Sequence, residues 1–278
     1  MTDALEPLFL FGPGFSATAL AKIWPGKVYG SVRSEQSLDK LKGSTMKPVR
    51  IDDVVSLKTA IEGAQLLVSV PPDQDGCPAL RSLGDIAARA ASVTYLSTTG
   101  EYGDLQGGWA MEWTSPNPQS ARAERRVRAE QLWLNVDPRL KTVRLPGIYG
   151  PGRSAFERLK NGTARRIVKP GQVFSRCHVD DIARGVFALV QAGERGVFHL
   201  CDEAAAPPQD VITFAADLLG TTAPPEIAFE DAELSPMARS FYGECKRVSN
   251  AKVKAATGWR PLYPTYREGL RSIFDQMA

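Results

Sequence analysis

Cysteine is scarce in this chain of 278 residues, and the four present, Cys77, Cys177, Cys201 and Cys245, stand far apart with no C-x-x-C pair among them. That spacing argues against a zinc site or a disulfide framework and fits a reducing compartment. Histidine is scarcer still. With His178 and His199 alone, neither H-x-x-x-H nor a His/Asp cluster with metal-ligand spacing occurs, so no metal is expected. A G-x-S-x-G elbow, the usual support for a hydrolase, is also missing. No run approaches the roughly 18 apolar residues of a membrane span, and the start lacks the basic region, apolar stretch and cleavage site of a signal peptide. Charge of one sign is lacking too: 34 Lys and Arg against 31 Asp and Glu leave a formal charge of +3, too little to argue for nucleic acid or a membrane surface. The basic run Arg122 to Arg128 is diluted by Glu124 and Glu130. The expectation is a cytoplasmic protein with no nucleic-acid and no membrane partner.

What is present begins at once. Leu8-Phe9-Leu10-Phe11 reads as a buried strand, and Thr18-Ala19-Leu20-Ala21-Lys22 opens an Ala/Leu-rich helix. Between them stands Gly12-Pro13-Gly14-Phe15-Ser16-Ala17, a G-x-G-x-x-A in the strand–turn–helix context that a dinucleotide fingerprint requires. Gly12 allows the tight turn, Gly14 lets a pyrophosphate approach the backbone, and Ala17 lets the helix pack close to the strand. Phe15 and Ser16 open the helix, whose free N–H groups and partial positive charge suit phosphate. Further strands are expected at 27–32, 47–51, 65–70, 93–97 and 141–145, with helical patterns near 17–23, 36–41, 55–62, 78–91 and 120–134. This alternation predicts an α/β fold, a Rossmann-type doubly wound parallel sheet. After Pro146 the rhythm breaks into loops and short pieces, with helices at 180–191, 209–219 and 266–276. We therefore expect a dinucleotide-binding core over 1–150. A smaller mixed α/β substrate lobe over 151–278 should return some segments to the core.

The tip of the second strand separates NADP from NAD. An acidic residue there holds a ribose 2′-hydroxyl, whereas Arg accommodates a 2′-phosphate. The chain reads Gly30-Ser31-Val32-Arg33-Ser34, with no carboxylate before Glu35. Arg33 brings a donor fork and Ser34 a hydroxyl, so NADP is expected, with NAD second; the bland alternative is an exposed Arg opening the next helix. Asp53 reads as a helix cap. Val70-Pro71-Pro72 ends the fourth strand, where the backbone should pass close to the cofactor.

Four further segments resemble the extended, epimerase/dehydratase-like branch of the short-chain dehydrogenase/reductase superfamily: Leu96 to Asp104 (LSTTGEYGD), Ala129-Glu130-Gln131, Arg144 to Gly152 (RLPGIYGPG) and His178 to Ala183 (HVDDIA). The tail around Val248–Lys252, Gly258-Trp259 and Tyr266–Leu270 looks like that branch as well. The resemblance implies hydride transfer at a carbon bearing a hydroxyl or carbonyl, on a small carbonyl or sugar-type substrate. It also implies a Ser or Thr acting with Tyr-x-x-x-Lys, in which the Lys lowers the Tyr pKa from about 10. It places Thr98 at the hydroxyl position and Pro146 against the nicotinamide. At the Tyr and Lys positions, however, stand Arg122 and Arg126.

A guanidinium stays protonated at ordinary pH and cannot shuttle a proton. Three accounts stay open. Another residue, Tyr102 among them, replaces the Tyr; or Arg122 polarises a carbonyl or holds an anionic substrate; or the protein is a non-catalytic NADP(H)-binding sensor. Asp180 and Asp181 read as helix caps and His199 as a buried histidine. The segment Ser235–Tyr242 reads either as a pocket wall for an acidic substrate or as a surface helix. The resemblance implies a homodimer through the helical stretches 78–91 and 120–134.

Overall fold

The structure, a computed structural model, describes residues 6–277. Seven parallel strands form the main sheet in the order β11-β7-β5-β4-β1-β2-β3. They are β1 (Leu8–Phe11), β2 (Val28–Val32), β3 (Lys47–Arg50), β4 (Gln65–Val68), β5 (Ser92–Thr98), β7 (Lys141–Leu145) and β11 (Gly196–His199). The helices around the sheet are α1 (Phe15–Ile23), α2 (Glu35–Asp39), α3 (Val54–Ile61), α4 (Pro78–Leu83), α5 (Ala121–Val136) and α7 (Val179–Gln191). Strands covered on both faces need apolar side chains on both, hence the unbroken run LFLF in β1. Its alternate residues divide between two cores. Leu8 and Leu10 pack with α1 and α7 on one face, while Phe9 and Phe11 pack with α3 and the Ala129–Trp133 side of α5 on the other.

The doubly wound parallel sheet is therefore as the alternation predicts, with two adjustments. The stretch expected as one helix over 78–91 breaks at Gly84, whose φ of +48° ends α4 and starts a 3₁₀ turn over Gly84–Arg89. The seventh strand, β11, comes from the second half of the chain and pairs with β7 from Gly196↔Lys141 to His199↔Arg144.

Short strands build the lobe: β6 (Trp109–Ala110) pairs with β13 (Arg247–Val248), β8 (Gly147–Tyr149) with β10 (Arg176–His178), and β9 (Arg166–Val168) with β12 (Glu226–Ala228). Helices α6 (Ala155–Lys160), α8 (Pro208–Leu218) and α11 (Tyr266–Asp275) close a third core around Phe156, Ile212 and Leu270. Helix α9 (Pro236–Tyr242) completes the lobe, whereas α10 (Ala251–Thr257) returns to α7 and β11, with Val253 in the first core. Among the described residues no helix is long and apolar enough to cross a membrane, and no group of three or more His, Cys, Asp or Glu could hold a metal ion.

Candidate cofactor and active site

The Gly-rich turn leaves β1 and enters α1 in the middle of the sheet, beside the point where strand order reverses between β1 and β4. Such switch points open a crevice at the carboxyl ends of the strands. Gly12 sits at φ +82°, and a Cβ placed there would lie 2.3 Å from Val70 Cγ1. Its backbone is tied on both sides: its N–H donates to Ser31 Oγ at 2.9 Å, and its carbonyl accepts from Ser69 Oγ. Gly14 is the exposed N-cap of α1, and no side chain caps that helix. The first-turn N–H groups keep their capacity for an anion. Ala17 has no exposed surface and Ser16 little, whereas half-buried Phe15 lies under the Arg153 guanidinium at 5.6 Å. These features fit a dinucleotide pyrophosphate: a turn too tight for a side chain, an uncapped helix start and a small residue at the helix–strand contact.

At the tip of β2, Arg33 is exposed and its side chain has no hydrogen-bond partner among the described residues. Ser34 differs from expectation. Its hydroxyl caps α2, accepting from Ser37 N at 3.3 Å, so Arg33 is the group at this tip with donors to spare. Glu35 is drawn to Arg50 at 3.2 Å. Asp53 caps α3 through Ser56 N at 3.0 Å, as its sequence context suggests. At the end of β4, Val70 packs over Gly12, Pro71 is exposed and Pro72 is buried.

Thr98 ends β5, and its Oγ1 accepts from Gly100 N at 3.2 Å. Arg126 reaches the same strand, donating from Nη1 to Leu96 O at 2.7 Å and to Tyr95 OH at 3.2 Å. One turn earlier on α5, Arg122 lies exposed over the Phe241 ring of α9 at 4.9 Å. Half-buried Pro146 follows β7 on the neighbouring strand. Arg126 is thus held on β5 two residues before Thr98, while Arg122, one turn earlier on α5, rests against α9.

Tyr102 is not among them, which corrects the expectation that it could catalyse. It has no exposed surface, and its hydroxyl meets His199 Nε2 at 2.6 Å. Tyr102 belongs to a buried network that sequence reading missed. Arg144, inside β7, grips Glu130 at 3.1 and 2.6 Å, reaches Glu101 at 3.2 Å and covers the Tyr102 ring at 4.9 Å. Glu101 also accepts from Ser97 Oγ. Burial first, and the neighbouring Glu130 charge second, push Glu101 up to about 9. The available signal was Arg144 itself, because a charge inside a buried strand requires partners.

His199 gives a pH signature. Burial pushes it down to about 4 from the ordinary 6.5, and its Nδ1 faces Ser249 O at 3.0 Å. The unfolded chain therefore takes up a proton near 6.5 while the folded one waits until about 4. Stability present above pH 6.5 is lost as the pH falls through that window. His178, also lowered by burial, adds to the same limb. Glu101 and Asp202, pushed up to about 9 and about 8 by burial, act in the opposite sense, so a paired comparison isolates the histidine. Urea melts over this range should show a flatter acid limb in His199→Asn than in wild type; equal slopes would refute the assignment.

Fold and turn together define a Rossmann-type α/β protein with an additional C-terminal lobe of helices and short strands. A functionally unknown conserved protein from Silicibacter pomeroyi is 41% identical, with 98% of this chain and 99% of that one covered and a TM-score of 0.90. At that identity over nearly the whole of both, the chain belongs to the same family as that protein. The dTDP-glucose 4,6-dehydratase of Bacillus anthracis, solved in complex with NAD, shares the fold at 15% identity, covering 98% of this chain and 96% of its own with a TM-score of 0.76. A curated relative, the 3-diazoavenalumate denitrifying reductase of a Streptomyces species, is 28% identical over 170 residues. That match covers 56% of this chain and 54% of the relative, so the chain spans about half the length of the curated relative it matches. No protein-family model matches the chain.

Proposed function

We propose that the protein is a cytoplasmic NAD(P)-dependent oxidoreductase, an atypical form resembling the epimerase/dehydratase-like enzymes, with NADP preferred. The observation that carries this reading is the turn Gly12–Ala17: too tight for a side chain at Gly12, uncapped at α1 and set at the switch point of the sheet. Gly12, Gly14, Phe15, Ser16 and Ala17 would hold the pyrophosphate, with Val70, Pro71 and Pro72 on the far side of the crevice and Pro146 beside the nicotinamide. Arg33 would take the 2′-phosphate, with Ser34 holding the turn that presents it. When bound, the dinucleotide gives or takes a hydride. The chain's residues do the rest: Arg126 steadies the ribose, Thr98 orients the reacting oxygen, and Arg122 polarises it or holds an anionic substrate.

The curated relative's name supports reductase chemistry on an anion, in line with a small, anionic, carbonyl- or sugar-type substrate. We divide the chain at residue 150 into a cofactor core and a substrate lobe, and place a homodimer contact on α4 and α5, where Leu132 and Leu134 are exposed. Turnover of a substrate found by screening carbonyl compounds with NADPH should fall by about a hundredfold or more when Thr98→Ala and Arg122→Ala are combined; unchanged turnover would overturn these roles.

Arg122 favours a second reading, since a guanidinium in the proton shuttle's place suits a non-catalytic sensor. Partner binding that follows the NADP redox state without turnover would support the sensor, and hydride exchange with a carbonyl the enzyme.

A further inference from the structure

The carboxyl edge of β5 carries groups that hold negative charge and keep their protons. Arg122 and Arg126, one turn apart on α5, project from one side of the helix. Among the described residues no carboxylate lies within 4.0 Å of either guanidinium, and the acidic residue of α5 nearest to the network, Glu130, is spent on Arg144. Arg126 gives one nitrogen to the strand, and Arg122 is parked on the Phe241 ring. Thr98 accepts from Gly100, which leaves its hydroxyl hydrogen to give.

Several groups that could surrender a proton are turned elsewhere. Tyr102 is buried on His199. The hydroxyl of Tyr149 is buried so close to α11 that a Cβ on Gly269 would lie 2.0 Å from it. Tyr95 has no exposed surface. Both histidines are inside the protein.

Such a site is mismatched to a simple ketone. Hydride addition there leaves an alkoxide about as basic as hydroxide, and it calls for an acid in the tyrosine role. An oxyanion conjugated with a π system is far less basic, a phenolate matching a pKa of about 10. It can rest as a charge-assisted pair on guanidinium.

We propose that the site acts on α,β-unsaturated carbonyl compounds and holds their reduced form as an enolate on Arg122, with Arg126 beside it on the ribose. The proposal rests on the oxidoreductase reading above. Hydride from the reduced dinucleotide forms a C–H bond at the β-carbon; the C=C pair moves to make the new C=C at the carbonyl carbon, and the C=O pair settles on oxygen. The acceptor gains two electrons, the dinucleotide loses two, and water supplies the proton after release. The Phe241 ring beside Arg122 gives the conjugated frame an apolar surface.

A phenol serves as a stable stand-in for the enol. The ionisation of 4-nitrophenol is followed by absorbance with wild-type protein saturated with oxidised NADP. The expected result is an apparent pKa of the bound probe lower by about one unit, a tenfold preference for the phenolate. In Arg122→Ala that preference should vanish while NADP affinity persists. In parallel, NADPH should be consumed at least about tenfold faster with an unsaturated aldehyde than with its saturated analogue. An unshifted or raised probe pKa, failure of the NADP-loaded protein to bind the probe, or a preference retained in Arg122→Ala would overturn the proposal. Failure to bind NADP at all would instead sink the oxidoreductase reading beneath it, and the proposal with it.

Discussion

Arg144→Met should cost the protein a large share of its stability. Arg144 is 4% exposed, and its guanidinium is bound twice to Glu130 and lies within 3.2 Å of Glu101. Removing it leaves the Glu130 carboxylate buried without its cation, beside a Glu101 that already carries its proton. Breaking a buried pair by deleting one partner costs about 3–5 kcal/mol, against a total of about 5–15 for a typical fold. Urea melts at pH 7 should show the midpoint falling steeply or the transition lost. Glu101→Gln should be mild by contrast, because Glu101, pushed up to about 9, already carries its proton there. An Arg144→Met midpoint within error of wild type would mean that Glu130 does not depend on this cation.

Gly12→Ala and Gly14→Ala should separate folding from binding. At Gly12 the backbone is at φ +82° and the new Cβ would lie 2.3 Å from Val70 Cγ1 and 3.4 Å from Val70 N. Val70 is β-branched and cannot swing freely, and the left-handed backbone adds about 1–2 kcal/mol. The Gly12 variant should lose both melting midpoint and NADPH affinity, the latter by about a hundredfold or more. Gly14 has a φ of −87°, and its Cβ would meet nothing nearer than Gly12 O at 3.9 Å. The Gly14 variant should melt like wild type and lose affinity alone, by about tenfold or more, because the methyl group would stand where phosphate approaches. Equal, undiminished affinity in both variants would remove the turn from the binding site.

The contrast between these glycines shows what the sequence could reveal. The turn was legible because its glycines, strand and helix are contiguous, and the strands of the first half because buried parallel strands are plain apolar runs. What braces the turn was not: Ser31 and Ser69 reach Gly12 from 19 and 57 residues away. The lobe was legible only as loops and helices, since strands as short as Trp109–Ala110 exist by pairing with a distant partner, here Arg247–Val248. Arg122 and Arg126 were located by the family resemblance, counted back from Ala129-Glu130-Gln131. The sequence could not show that Tyr102 turns away onto His199, 97 residues on, or that Ser34 spends its hydroxyl on capping α2.

The central claim is dinucleotide binding at this turn, with Arg33 selecting the phosphate. A fluorescence titration of the purified protein with NADPH and, in parallel, NADH tests it most directly, repeated with Arg33→Ala. The account predicts saturable NADPH binding about tenfold or more tighter than NADH, with Arg33→Ala bringing the two together. NADH binding more tightly would refute the role of Arg33 and leave the fold reading standing. Binding of neither would contradict the account itself.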